Sequence, residues 1–128
     1  MSLRSPLGKV LGLGSAKGGS GHWYAQRVTA VALVVLGLWF VASLVLMDGV
    51  SYEAVVSWLR VPFSAAMALL LVLVSAYHAN LGVQVVLEDY VADHGTRTVV
   101  LIAVKFALVT AALIGALAVL RIAFGVPA

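Results

Sequence analysis

The sequence predicts an all-α integral membrane protein with three transmembrane helices, and three observations carry that prediction. Of 128 residues, 63% are hydrophobic and only 10% charged, against roughly 45 to 50% apolar and about 25% charged in an ordinary soluble domain. A chain this short has much surface for its volume, and eight basic and five acidic side chains cannot cover it in water. Three apolar stretches each reach the ~20 helical residues needed to cross ~30 Å of hydrocarbon. Barrel strands would instead need alternating segments of ~10 residues, and none is present.

The first span runs from Val28 to Met47 without a charge. The basic residues before it suit a signal peptide. Its apolar run, however, exceeds the usual core of roughly 7 to 15 residues and no small-x-small cleavage site follows, so it reads as a retained helix. The second span covers about 63 to 87, with Pro62 at its start, where a missing N–H is harmless in a first helical turn. The third covers about 98 to 120 and contains one charge, Lys105. Ala107, Ala111 and Gly115 repeat every four residues along it and let another helix approach closely. The organisation expected is therefore a basic flexible arm over 1–27, one membrane domain over 28–122 and a short tail over 123–128.

Charge sets the orientation. Arg4, Lys9, Lys17, Arg27 and Arg97 fall on the side of the N-terminus and only Arg60 and Arg121 on the other. The positive-inside bias places the N-terminus in the cytoplasm, or the matrix of a mitochondrion, and the C-terminus opposite. Lys105 lies about seven residues into its span from the positive side, near enough for its stem to reach toward the headgroups. The net charge of +3 thus reads as a membrane signal, and no nucleic-acid partner is expected. Gly12, Gly14 and Gly18 form no phosphate loop, because no strand precedes them and Lys17 is out of register. They belong to an arm that meets anionic lipid or another protein of a membrane assembly. The absence of cysteine excludes a disulfide framework, a thiolate metal site and an iron–sulfur cluster of the chain's own.

His78 is the informative residue, since an imidazole inside hydrocarbon must be hydrogen-bonded or bind something. It lies about nine residues, or ~14 Å, from the cytoplasmic end of its span. At 100° per residue, Ser64, Leu71, Ser75, His78, Gly82 and Asp89 share one side of the helix. Gly82, one turn beyond His78, leaves room for something flat. A cofactor or iron ligand, an interhelical hydrogen bond and a proton relay all suit such a histidine. A single histidine cannot complete a bis-imidazole haem, so a second would come from a partner. At the helix end stand Glu88, Asp89 and Tyr90, followed by Asp93 and His94. They read either as a solvated end with an interfacial tyrosine or as a phenol beside a carboxylate that donates to a quinone carbonyl.

Two stretches resemble a known family, the smaller hydrophobic membrane anchors of succinate dehydrogenase, also called succinate:quinone oxidoreductase or respiratory complex II. One is Arg27-Val28-Thr29-Ala30 after His22. The other runs from His78 through Gly82 to Asp89-Tyr90, eleven and twelve residues beyond the histidine. The resemblance covers about residues 20 to 122. It implies that His78 is an axial ligand to haem b, with the second histidine from the companion membrane anchor, the cytochrome b chain of the complex. It further implies that Tyr90 hydrogen-bonds ubiquinone, supported by Asp89, and that Arg27 lies near the haem propionates, with His22 as a propionate or proton-path residue. Flavin, iron–sulfur clusters and the succinate site would belong to the flavoprotein and iron–sulfur subunits. The location implied is a bacterial inner membrane. A fumarate reductase anchor and a non-catalytic membrane scaffold or assembly protein are the rival readings.

Overall fold

The structure is a computed structural model and describes residues 19–125. The glycines and lysines of the basic arm up to residue 18, and residues 126–128 of the tail, lie outside the described residues. Four helices follow in order: α1 (Gly19–Leu46), α2 (Tyr52–Leu59), α3 (Pro62–Tyr90) and α4 (His94–Ala123). No strand occurs among the described residues. The fold is all-α, and α1, α3 and α4 are each long and apolar enough to cross a membrane.

The helices outrun the expected spans. α1 starts at Gly19 instead of Val28, so residues 19–27 of the expected arm are helical and carry His22 and Arg27 in a helix. α3 opens with Pro62 in its first turn and stays helical through Tyr90. Its 29 residues extend ~43 Å at 1.5 Å per residue, more than the hydrocarbon needs. α4 begins at His94, because the Asp93 carboxylate accepts the Thr96 N–H at 2.6 Å and closes one of the donors a helix start leaves open. Only three residues therefore join α3 to α4, which fixes them as an antiparallel hairpin. At its far end α4 stops in front of Gly125, whose φ of +67° is the left-handed conformation that glycine adopts without strain.

The first connection holds the short α2, which the apolar periodicity did not reveal. Ser51 caps it by accepting the Ala54 N–H at 3.2 Å. Its Trp58 stacks on Trp39 of α1 with ring centroids 5.5 Å apart, and Trp39 meets Phe63 of α3 edge-on at 6.2 Å. Leu59 is buried. The loop is thus a packed lid over one end of the bundle, held by the aromatic area it hides.

α3 packs against both other spans, whereas α1 and α4 do not touch among the described residues. The buried residues follow from this arrangement: Ser64, Ala65, Ala68 and Leu81 on α3, Thr29 and Leu36 on α1, and none on α4. Most large apolar side chains are exposed, the pattern of helices whose solvent is lipid. The close approach between α3 and α4 is at Gly115, where an added Cβ would lie 3.0 Å from Val72 Cγ1. Of the small-residue repeat, Gly115 thus serves the chain's own hairpin, while Ala107 and Ala111 remain exposed.

Two outcomes test this packing. Gly115→Leu should destabilise the hairpin by about 1 to 3 kcal/mol, the usual cost of overpacking. Val72→Ala in the same chain should recover part of the loss in thermal midpoint, and no recovery would place the crowding elsewhere. The second concerns the cap. The Thr96 N–H that Asp93 accepts holds this carboxyl below the usual carboxylate range. Its contribution to stability is present above the unfolded value of ~3.9 and is lost as pH falls through the lower folded one. The thermal midpoints of the parent and Asp93→Ala proteins should accordingly differ most at neutral pH and converge in acid.

Candidate functional site

The polar groups of α1 and α3 meet along one seam. His22, Gln26 and Thr29 stand four and three residues apart on α1, a spacing that puts them on one face. Opposite them on α3 is His78. Its Nδ1 lies 2.8 Å from Thr29 Oγ1, and its Nε2 lies 3.5 Å from the Gln26 side-chain nitrogen. The Thr29 hydroxyl also donates to the Ala25 carbonyl at 2.7 Å, with the Gln26 carbonyl at 3.2 Å. Thr29 is buried, at 9% exposure. This cluster is the structure's main polar contact between two spanning helices, and it lies deep in the bilayer region, about three turns from the end of α3.

A cleft of about 840 Å³ opens beside the seam, lined by His22, Trp23, Gln26, Arg27, Gly82 and Glu88 with two neighbours on α3. Gly82 widens it. A Cβ there would meet the Gln26 amide nitrogen at 3.7 Å, ordinary contact distance, so the amide occupies the space the glycine leaves. Two polar atoms in this region are buried and unpartnered, His22 Nε2 and Gln26 Oε1. Such atoms cost free energy in a dry interior unless something satisfies them. Arg27 is exposed and holds its guanidinium over the Trp23 ring, 5.6 Å from the centroid. At the outer edge Gln84 donates to the Glu88 carboxylate at 2.8 Å.

His78, Gly82, His22 and Arg27 are thus brought together. Gln26 and Thr29, which hold His78, were given no role from the sequence, although their spacing from His22 was a legible signal. Ser75 departs from expectation. It sits in a groove between α3 and α4, with Leu71 and Ala79, because a rotation of ~60° from His78 is enough to carry it past the seam. Asp89 and Tyr90 are not gathered with His78 either. Both are exposed, Tyr90 at 84%, and α3 does not unwind before them, so an ideal helix turns the two to different sides. Tyr90 lies ~18 Å along the axis from His78. His94 is exposed at the start of α4, its carbonyl accepting from the Thr98 hydroxyl at 2.8 Å. No cluster of three or more metal-ligating side chains occurs among the described residues.

Residues 1–114 match the family model described as succinate dehydrogenase/fumarate reductase transmembrane subunit. The chain belongs to that family. It is 38% identical over 108 residues to the succinate dehydrogenase hydrophobic membrane anchor subunit of Rickettsia bellii, covering 84% of this chain and 86% of the relative. The protein so named in Rickettsia conorii is 36% identical over 109 residues, again 84% and 86% of the two chains. The one in Paracoccus denitrificans is 35% identical over 98 residues, 77% of this chain and 75% of the relative. The expectation drawn from the His78 to Tyr90 pattern is thereby met at the level of the family. Members of the succinate dehydrogenase transmembrane family are parts of an enzyme complex, and these relatives are bacterial.

Proposed function

We propose that this chain is the membrane anchor of a bacterial succinate:quinone oxidoreductase, in which His78 is one axial ligand to haem b and Tyr90 binds ubiquinone. The observation that carries the proposal is the placement of His78, an imidazole deep in the bilayer region, held through Nδ1 and turned through Nε2 toward an amide with an orphaned oxygen. Its surroundings fit a haem. Gly82 leaves the space, the cleft adjoins it, and His22 and Arg27 provide polar and cationic groups at the cytoplasmic side where carboxylates would lie. Haem b, when bound, supplies a one-electron acceptor within the membrane. A lone histidine requires a second ligand from elsewhere, which assigns that role to the companion membrane anchor.

The chain's own work is positioning. α1 and α3 hold the imidazole in one orientation, and the lipid-facing helices keep water from it. Quinone is the substrate, bound at the headgroup level where α3 ends. The Tyr90 hydroxyl would donate to a carbonyl oxygen and stabilise negative charge as it develops. Asp89 would tune the phenol, and water at that boundary would supply protons. Because both side chains are exposed on this chain alone, the companion anchor and the iron–sulfur subunit complete the site, and electrons reach it from the flavoprotein subunit. The basic residues place this end of α3, with the N-terminus, on the cytoplasmic side of the inner membrane.

Two measurements follow. His78→Ala in the intact complex should abolish the six-coordinate low-spin haem signature while every subunit is retained; an unchanged signature would refute ligation by this residue. Tyr90→Phe keeps the ring at the interface and removes only the hydroxyl. It should lower succinate:quinone activity ~10²-fold, the cost of one preorganised donor to a developing oxyanion, and leave reduction of a soluble dye upstream of quinone intact. Full quinone activity in that variant would reduce Tyr90 to an anchor.

A further inference from the structure

We infer that Thr29 is a positioning residue that fixes the protonation state of His78, presenting Nε2 as the free lone pair and Nδ1 as the N–H. The inference deepens the proposed ligation and rests on it. It follows from counting protons. The Thr29 hydroxyl has one hydrogen, and the Ala25 carbonyl 2.7 Å away can only accept it. The second carbonyl near it, that of Gln26 at 3.2 Å, is likewise an acceptor. The hydroxyl's remaining capacity is its lone pairs, so the 2.8 Å contact with Nδ1 is a bond that His78 donates. A neutral imidazole with its proton on Nδ1 has an unprotonated Nε2. On the other side of the ring the Gln26 amide nitrogen, a donor, stands 3.5 Å from Nε2, in agreement with that assignment.

The consequence is specific to this pair of helices. Thr29 is tied to its own backbone one turn earlier, so the acceptor presented to His78 cannot rotate freely. A histidine that ligates a metal gains basicity and a fixed ring plane when its other nitrogen donates to such a group. The Gln26 amide, bonded weakly and with Oε1 unsatisfied, is what Nε2 must exchange for iron. Thr29 thereby acts on the haem through His78 without touching it. Donation from Nδ1 favours the ferric over the ferrous ion, and loss of the acceptor should raise the midpoint potential.

The test uses the purified whole complex with Thr29→Val, which keeps the side-chain shape and removes the hydroxyl, and Thr29→Ser, which keeps the hydroxyl. The readouts are the haem midpoint potential and the low-spin electron paramagnetic resonance g-values. A tenfold loss of ferric preference in the valine variant corresponds to about 59 mV for one electron, and is the expected scale of the rise, with altered g-values. The serine variant should return both to the parental values. Unchanged potential and g-values in Thr29→Val would overturn the inference, as would equal shifts in both variants, which would mark a packing effect. Should Thr29→Val not assemble, Thr29→Ala replaces it. Should that fail too, proton–deuteron double resonance on the unaltered complex decides, an exchangeable Nδ1 proton on His78 being expected and its absence contradictory. Failure here is distinct from failure of the ligation itself: a low-spin signature that survives His78→Ala removes the ligand, whereas one lost in His78→Ala and indifferent to Thr29→Val removes only the role of Thr29.

Discussion

A polar side chain inside hydrocarbon can find a partner only on a neighbouring helix, and this constraint organises the molecule around α3. That helix alone touches both other spans, and its polar groups at mid-depth sort to its two sides. His78 turns to α1, where Thr29 and Gln26 receive it. Tyr77 and Asn80 instead line a cavity of about 320 Å³ on the α4 side, together with Lys105. Since helices in lipid gain little from hiding apolar surface against one another, close backbone approach at Gly115 and hydrogen bonding at Thr29 become the specific links between spans. The buried set is correspondingly small and consists largely of alanine, serine, threonine and leucine.

The same constraint separates the two proposed tasks of the chain. Haem ligation requires a dry, rigid setting, and His78 has one: two short bonds fix Thr29 and the imidazole in sequence across the seam. Quinone binding requires access from the membrane and protons from water, and the end of α3 offers both. Tyr90 is the most exposed of the large apolar and aromatic side chains in the described residues, so the site it serves is shared and is built where this chain meets its partners. The anchor thus carries a finished half-site for one group and an unfinished edge for the other.

The fold was legible in the sequence because length and hydropathy decide it: three apolar stretches in a chain with thirteen charges leave one class of structure. The ends were less legible. Nothing apolar marks residues 19–27 as helical, and α1 extends there because a helix satisfies its own backbone at the membrane boundary. The short α2 was hidden since its amphipathic turn is only eight residues long and its meaning lies in Trp39 and Phe63, outside its own segment. For the site, His78 and Gly82 could be found by depth and spacing, and the pattern through Asp89-Tyr90 pointed to the family. Thr29 and Gln26 were passed over, as one polar residue on a spanning helix says nothing of what faces it until the helices are paired. The turn of Asp89 and Tyr90 away from the seam was foreseeable from 100° per residue, and the intact end of α3 makes it real.

The central claim is that His78 of this chain gives its Nε2 to an iron. Electron cryomicroscopy of the purified complex in a lipid nanodisc tests it most directly. The account predicts continuous density from His78 Nε2 to the centre of a flat macrocycle, with Gln26 swung aside, Gly82 against the ring and Nδ1 still on Thr29. A macrocycle ligated by other residues, or none beside Gly82 with His78 still closed on Gln26, would contradict it.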